Sequence, residues 1–185
     1  MILSIIIYAI WFGSEVFLSV FRRAGDGVKQ KSDKGSLALI WTIVIVANFL
    51  SYFVSRWTSA PIAENANIRY VGLALIIIGV ILRFTIVASL GKFFTVNVVI
   101  TQDHQLKTDG FYRYVRHPSY AASILSFAGY GVSLNNWISL IVVVTSVATA
   151  FLIRIRIEEQ TLIEHFGDEY LEYIKGTKRL IPFVF

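Results

Sequence analysis

The chain has 185 residues, 56% of them hydrophobic and only 16% charged, with a mean hydropathy of +0.65. A soluble domain carries roughly 25% charge, so this composition describes a membrane protein, and the length allows a single domain, 1–185. The absence of cysteine excludes disulfides, thiolate chemistry and a cysteine-based metal site, and three histidines far apart in sequence speak against any other metal centre.

Residues 1–21 are apolar apart from Ser4, Ser14, Ser19 and Glu15. They lack the basic leader and small-residue cleavage site of a signal peptide, so they read as a first transmembrane helix. Glu15 within it is expected to sit near the interface or to pair with a neighbouring helix, a functional role being the alternative. Residues 22–35 form a basic loop containing glycine. Residues 37–57 form a second span, ending at Arg56-Trp57 as an interfacial anchor. Residues 58–67 are a short loop with no basic residue, and 68–90 form a third span. Arg83, deep in that span, either snorkels to a boundary or faces the protein interior.

Beyond the polar segment 91–117 come two apolar runs, 118–134 and 137–153, separated by Asn135-Asn136. So short a turn predicts a tight antiparallel helical hairpin. Each arm is near the minimum spanning length, so the hairpin is expected to sit shallow or thin the bilayer. Gly129 and Gly131 would permit close helix approach. Residues 154–175 become amphipathic, with Leu162, Ile163, Phe166, Tyr170 and Ile174 near helical spacing. Gly167 is expected to end or kink one helix and Asp168 to cap the next. The basic and then apolar tail is expected to fold back on the protein or the bilayer.

The expected fold is therefore an all-α integral membrane protein of about five spans. Residues 1–90 supply three of them, and 91–185 form the core that carries the chemistry. The segments 22–35, 91–117 and 154–185 hold fourteen of the 17 Lys/Arg and share one face in a five-span chain. The positive-inside rule makes that face cytoplasmic. Orientation and lipid headgroups then account for the net charge of +5 without nucleic acid.

The most unusual stretch is 109–122, DGFYRYVRHPSYAA. Proline disfavours helix at the residue before it and suits the first helical position, so His117 should lie at a boundary with the helix starting at Pro118. Tyr112, Arg113, Tyr114, Arg116, His117 and Tyr120 would then cluster where a loop meets a membrane helix. Taken alone this is equally an interfacial anchor. The hairpin, however, returns the chain to the same face, bringing His117 and Tyr120 near Arg154 and Glu158. Those two are spaced i, i+4 on one helix face. A surface salt bridge is the ordinary reading of such a pair, but these sit at the membrane end of the helix beside aromatic side chains.

The pattern G-F-Y-x-x-x-RHPSY, a hairpin, R-x-x-x-EE and L-I-x-x-F-G-D-E-Y-L-E-Y resembles the isoprenylcysteine carboxyl methyltransferases. It also resembles the wider group of small membrane methyltransferases that includes phospholipid N-methyltransferases. The likeness covers about residues 97–185. It implies S-adenosylmethionine as cofactor, held by Asn97, by His104, Gln105, Leu106 and Lys107, by Tyr112, by His117, Pro118, Ser119 and Tyr120, and by Glu158. Asn97, Gln105 and Lys107 depart from the residues usual in close relatives. Arg154 would serve the methyl acceptor, making Arg154 and Glu158 the catalytic pair, with no metal. The implied partners are the bilayer and an amphiphilic or prenylated substrate. Oligomeric state is not legible.

The residue chemistry agrees. Aromatic faces attract a sulfonium, a carboxylate accepts from a ribose hydroxyl or an amine, and a guanidinium fixes a carboxylate by a bidentate pair. An amine acceptor would have to lose a proton and would meet the wrong charge in Arg154, which favours an anionic or neutral acceptor. Two other classes remain open: an NADPH-dependent membrane sterol-type reductase, which shares the RHP-x-Y stretch, and a non-catalytic membrane adaptor. Short loops suggest a prokaryotic cytoplasmic membrane, or the endoplasmic reticulum if the source is eukaryotic, with the active site on the cytoplasmic side.

Overall fold

The computed structural model describes residues 2–21, 34–91 and 106–181. Among these residues six α-helices follow in chain order: α1 (Ile2–Phe21), α2 (Lys34–Trp57), α3 (Ile68–Leu90), α4 (Pro118–Ser133), α5 (Trp137–Phe166) and α6 (Asp168–Gly176). A 3-10 turn, Gly110–Arg113, precedes α4. Helices α1, α2, α3 and α5 are long and apolar enough to cross a membrane. With 16 residues, α4 rises about 24 Å, short of a hydrocarbon core of about 30 Å. The architecture is thus four long apolar helices plus one short one, where about five spans were expected, and the second arm of the hairpin is the 30-residue α5 rather than a run of minimum length.

The helix boundaries have local causes. Pro118 occupies the first turn of α4, with His117 at the cap in a non-helical conformation. Asn135 adopts φ 52°, a left-handed turn that asparagine tolerates better than most residues. Asn136 caps α5, its side chain accepting from the Ser139 N–H at 3.0 Å. Gly167, at φ 54°, ends α5 where the chain bends into α6. Asp168 is not the cap of α6: Gly167 takes that position, and Asp168 and Glu169 instead place negative charge in the first turn.

Lipid tails are as apolar as leucine, so packing rather than hydrophobic burial must join these helices. The closest seam lies between α3 and α4. A Cβ added at Gly129 would stand 2.7 Å from the Gly72 carbonyl oxygen and from the Ile76 nitrogen. One added at Gly79 would stand 2.8 Å from the Ala122 carbonyl oxygen. Gly131 does the same work against α5, where a Cβ would meet Leu140 Cα at 2.7 Å. Packing therefore explains Gly129 and Gly131, while the matching role of Gly72 and Gly79 was not read from sequence.

The two ends of the bundle differ. At one end the α4–α5 turn is bonded to the α2–α3 loop. Asn135 Oδ1 accepts from the Ile62 and Ala63 N–H groups, each at 3.0 Å, and Asn136 Nδ2 donates to Thr58. Tyr8, near the start of α1, bonds Ser133 at this same end at 2.6 Å. The end of α3 and the starts of α2 and α4 therefore lie at the opposite end, with the last turns of α1. The core between the ends joins Trp11, Val44, Leu73, Ile76, Phe127, Tyr130, Val143, Val147 and Phe151.

Candidate active site

The site is built where α4 begins. From the Asn135-Asn136 turn, Pro118 lies about 24 Å along α4 and Glu158 about 32 Å along α5. Both distances fall near the edge of a slab of about 30 Å. There the Tyr120 hydroxyl donates to Glu158 Oε1, across 38 residues of sequence. The Arg154 Nε donates to the same oxygen at 3.3 Å. His117 Nδ1 lies 3.5 Å from Glu158 Oε2. One carboxylate thus gathers a phenol, a guanidinium and an imidazole. The Tyr120 ring packs on Phe151 at 4.9 Å and tilts against His117 at 5.9 Å.

Adjacent Glu159 serves a different set. Successive residues on a helix point about 100° apart, so Glu159 faces away from Arg154. It accepts from Arg116 Nε at 2.9 Å and from Arg179 at 2.8 Å, and His117 Nε2 lies 3.4 Å from it without hydrogen-bond geometry. The two carboxylates also differ in access. The Glu158 side chain keeps 20% of its exposure and that of Glu159 only 7%. Glu158 therefore has room to meet a ligand, and Glu159 is sealed inside its ion pairs.

A strap closes the site from the C-terminal side. Val115 and Lys178 form a parallel bridge. The N–H groups of Arg116 and His117 donate to the Lys178 and Arg179 carbonyls at 2.8 and 3.0 Å, and the Lys178 N–H donates to Tyr114 at 3.1 Å. Arg116 also donates to the Thr177 carbonyl, and the Tyr173 hydroxyl to the Tyr112 carbonyl. The described part of the tail therefore folds back on the protein, against the loop that presents His117.

Burial alone would lower the His117 pKa, but the carboxylates of Glu158 and Glu159 outweigh it and the net shift is upward. Burial also raises Tyr112 and Tyr170, and it pushes Tyr173 up to about 12 against the opposing charge of Arg116. These phenols remain neutral, and the Tyr173 hydroxyl is the one that donates in the bond to Tyr112.

Of the residues singled out from sequence, Tyr120, His117 and Arg154 all meet Glu158. Tyr112 is buried beside them, near Ile86 and Ala122. Pro118 sits in the first turn of α4, and the Ser119 carbonyl faces Arg83. Leu106 is half-buried, while Lys107 bonds the exposed Asp109 at 2.7 Å rather than any member of the Glu158 cluster. Asn97, His104 and Gln105 lie outside the described residues. Sequence reading missed the Glu159–Arg179 pair. The available signal was the second glutamate of Glu158-Glu159 together with the Lys178-Arg179 dipeptide after α6.

The donor set suits S-adenosylmethionine. It offers aromatic faces for a sulfonium and a partly open carboxylate for hydroxyl or amine donors.

Comparison with known proteins gives a consistent answer. The sequence model of the isoprenylcysteine carboxyl methyltransferase family matches residues 72–164. Protein-S-isoprenylcysteine O-methyltransferase B of Arabidopsis thaliana is 39% identical over 146 residues, which is 78% of this chain and 74% of the relative. Protein-S-isoprenylcysteine O-methyltransferase A of the same plant is 29% identical over 186 residues, covering 100% of this chain and 92% of the relative. Among solved structures, the eukaryotic intramembrane Ras methyltransferase ICMT superposes with a TM-score of 0.66 at 26% identity. That match covers 96% of this chain and 60% of the larger one.

Proposed function

The chain belongs to the isoprenylcysteine carboxyl methyltransferase family of S-adenosylmethionine-dependent membrane methyltransferases, and from that premise we propose that it esterifies the carboxylate of an S-prenylated cysteine or a similarly tailed acid. The observation that carries this reading is the contact chain Tyr120–Glu158–Arg154 at the membrane edge. Water reaches such a site from one side and a lipid tail from the other. Tyr112, His117 to Tyr120 and Glu158 hold the cofactor, and the family resemblance adds Asn97 and the stretch His104 to Lys107 to that set. Arg154 orients the acceptor.

S-adenosylmethionine, held by these residues, would supply an electrophilic methyl carbon on its cationic sulfur for a carboxylate oxygen, with S-adenosylhomocysteine as the leaving group. Opposite charges cancel along that path, so a site of low dielectric does not oppose it. No proton moves, and the residues need supply no strong base. Their work is to hold the two reactants in line. Glu158 accepts from donors on the cofactor, and Tyr120 and His117 keep that carboxylate in place. The buried Arg154 guanidinium pairs with the acceptor carboxylate, a role suited to a planar, permanently charged group. An amine acceptor would meet repulsion there. The site faces the cytoplasm, on the side of the three basic segments.

The test is methyl transfer by the purified protein in lipid nanodiscs, using labelled S-adenosylmethionine. N-acetyl-S-farnesylcysteine is expected to take up label as a base-labile methyl ester, and phosphatidylethanolamine to take up none. Base-stable label on the amine headgroup would overturn the assignment of a carboxylate acceptor.

A further inference from the structure

Helices α1 and α3 share a buried ion pair that the mechanism above does not use. Arg83 Nη2 lies 3.1 Å from Glu15 Oε2, their side chains 13% and 11% exposed. Arg83 Nη1 reaches on to the Ser119 carbonyl at 3.4 Å. Ser119 stands in the first turn of α4, directly before Tyr120. The pair is also incompletely satisfied, because Glu15 Oε1 and Arg83 Nε have no hydrogen-bond partner among the described residues.

Within a membrane span, a glutamate and an arginine are costly and tend to mark function. As a stabiliser the pair is poor. Removing two charges from water often costs as much as their attraction returns, and apolar side chains of like volume often hold a fold as well. The geometry gives the pair another task. The first turn of a helix has carbonyls that accept from within the helix, and the Ser119 carbonyl already accepts from Ser123 Oγ at 3.2 Å. A cationic donor from α3 adds a directional bond to that same turn. The turn carries Tyr120, whose hydroxyl meets Glu158 on α5.

We propose that Arg83 is a positioning residue for methyl transfer: oriented by Glu15, it holds the Ser119 carbonyl and thereby sets Tyr120 against Glu158. Glu15 acts through Arg83, and neither touches the reactants. The proposal rests on the cofactor site assigned above. It differs from a plain helix brace in one respect, since it requires a donor at position 83 and not merely a filled seam.

Three variants in nanodiscs separate the two. The charge-swapped double Glu15→Arg/Arg83→Glu keeps an ion pair but puts an acceptor opposite the Ser119 carbonyl. The apolar double Glu15→Leu/Arg83→Met fills the seam with neither charge nor donor. Arg83→Lys keeps charge and donor. Binding of S-adenosylhomocysteine is measured by calorimetry, turnover by labelled methyl transfer, and folding by thermal unfolding.

Both doubles are expected to fold, yet to bind S-adenosylhomocysteine about tenfold or more weakly and to turn over more slowly. Arg83→Lys should recover most of the affinity. Wild-type affinity in either double would overturn the proposal, and so would failure of both doubles to fold, because the pair would then be a folding element. If the unaltered protein binds no S-adenosylhomocysteine, it is the cofactor site itself that fails.

Discussion

At the scale of single residues, the site depends on which carboxylate is open. Glu158 is shared by Tyr120, Arg154 and His117, while Glu159 is held by Arg116 and Arg179. Truncating Glu158 or His117 to alanine should abolish S-adenosylhomocysteine binding in calorimetry while circular dichroism stays helical. Arg154→Ala should keep cofactor binding and lower turnover by about 100-fold or more, because the acceptor is no longer aligned. Unchanged turnover would remove Arg154 from its role.

The charge on His117 gives a pH dependence of known sign. Its folded pKa lies above the ordinary 6.5 because Glu158 and Glu159 outweigh the effect of burial. A group whose pKa rises on folding contributes its stabilisation fully below the unfolded value and loses it as pH passes through the folded value. Thermal stability should therefore fall as pH rises from about 6.5 upward, and His117→Gln should flatten that slope. A slope left intact in the glutamine variant would assign the titration elsewhere.

At the scale of elements, the site depends on a strap and a seam. The strap joins Tyr114–His117 to Thr177–Arg179 by backbone bonds, so it acts through geometry rather than side-chain identity. Lys178→Pro removes the N–H that donates to Tyr114. One lost bond of roughly 1 kcal/mol corresponds to about a fivefold weaker cofactor affinity, with the transmembrane helices unaffected. Binding equal to the parent would show that the strap does not shape the loop. The seam between α3 and α4 fixes the height of the first turn of α4 through Gly72, Gly79 and Gly129. A helix of 16 residues has little other means of fixing its depth in the bilayer.

At the scale of the whole molecule, alternating helix directions gather the last turns of α1 and α3 and the starts of α2 and α4 at the end that holds the site. Cysteines introduced in 22–35 and at the C-terminus should both be labelled by an impermeant dye from the same face of sealed vesicles. Labelling from opposite faces would break the topology. Hydropathy located α1, α3 and α4 to within a residue, because a span must be continuous and apolar to satisfy its backbone in lipid, but it started α2 three residues late and ended the last arm at 153, where α5 runs on to Phe166. The turn residues Pro118, Asn135, Asn136 and Gly167 marked the breaks by their own backbone preferences. The pairing of Arg154 with Glu158 was legible from their spacing, and that of Tyr120 with Glu158 from the hairpin. The partner of Glu15, the bonds of Glu159 and the small residues that face Gly129 were not. Each depends on how one helix is rotated against a distant one, and a pattern along a single chain carries no record of that angle.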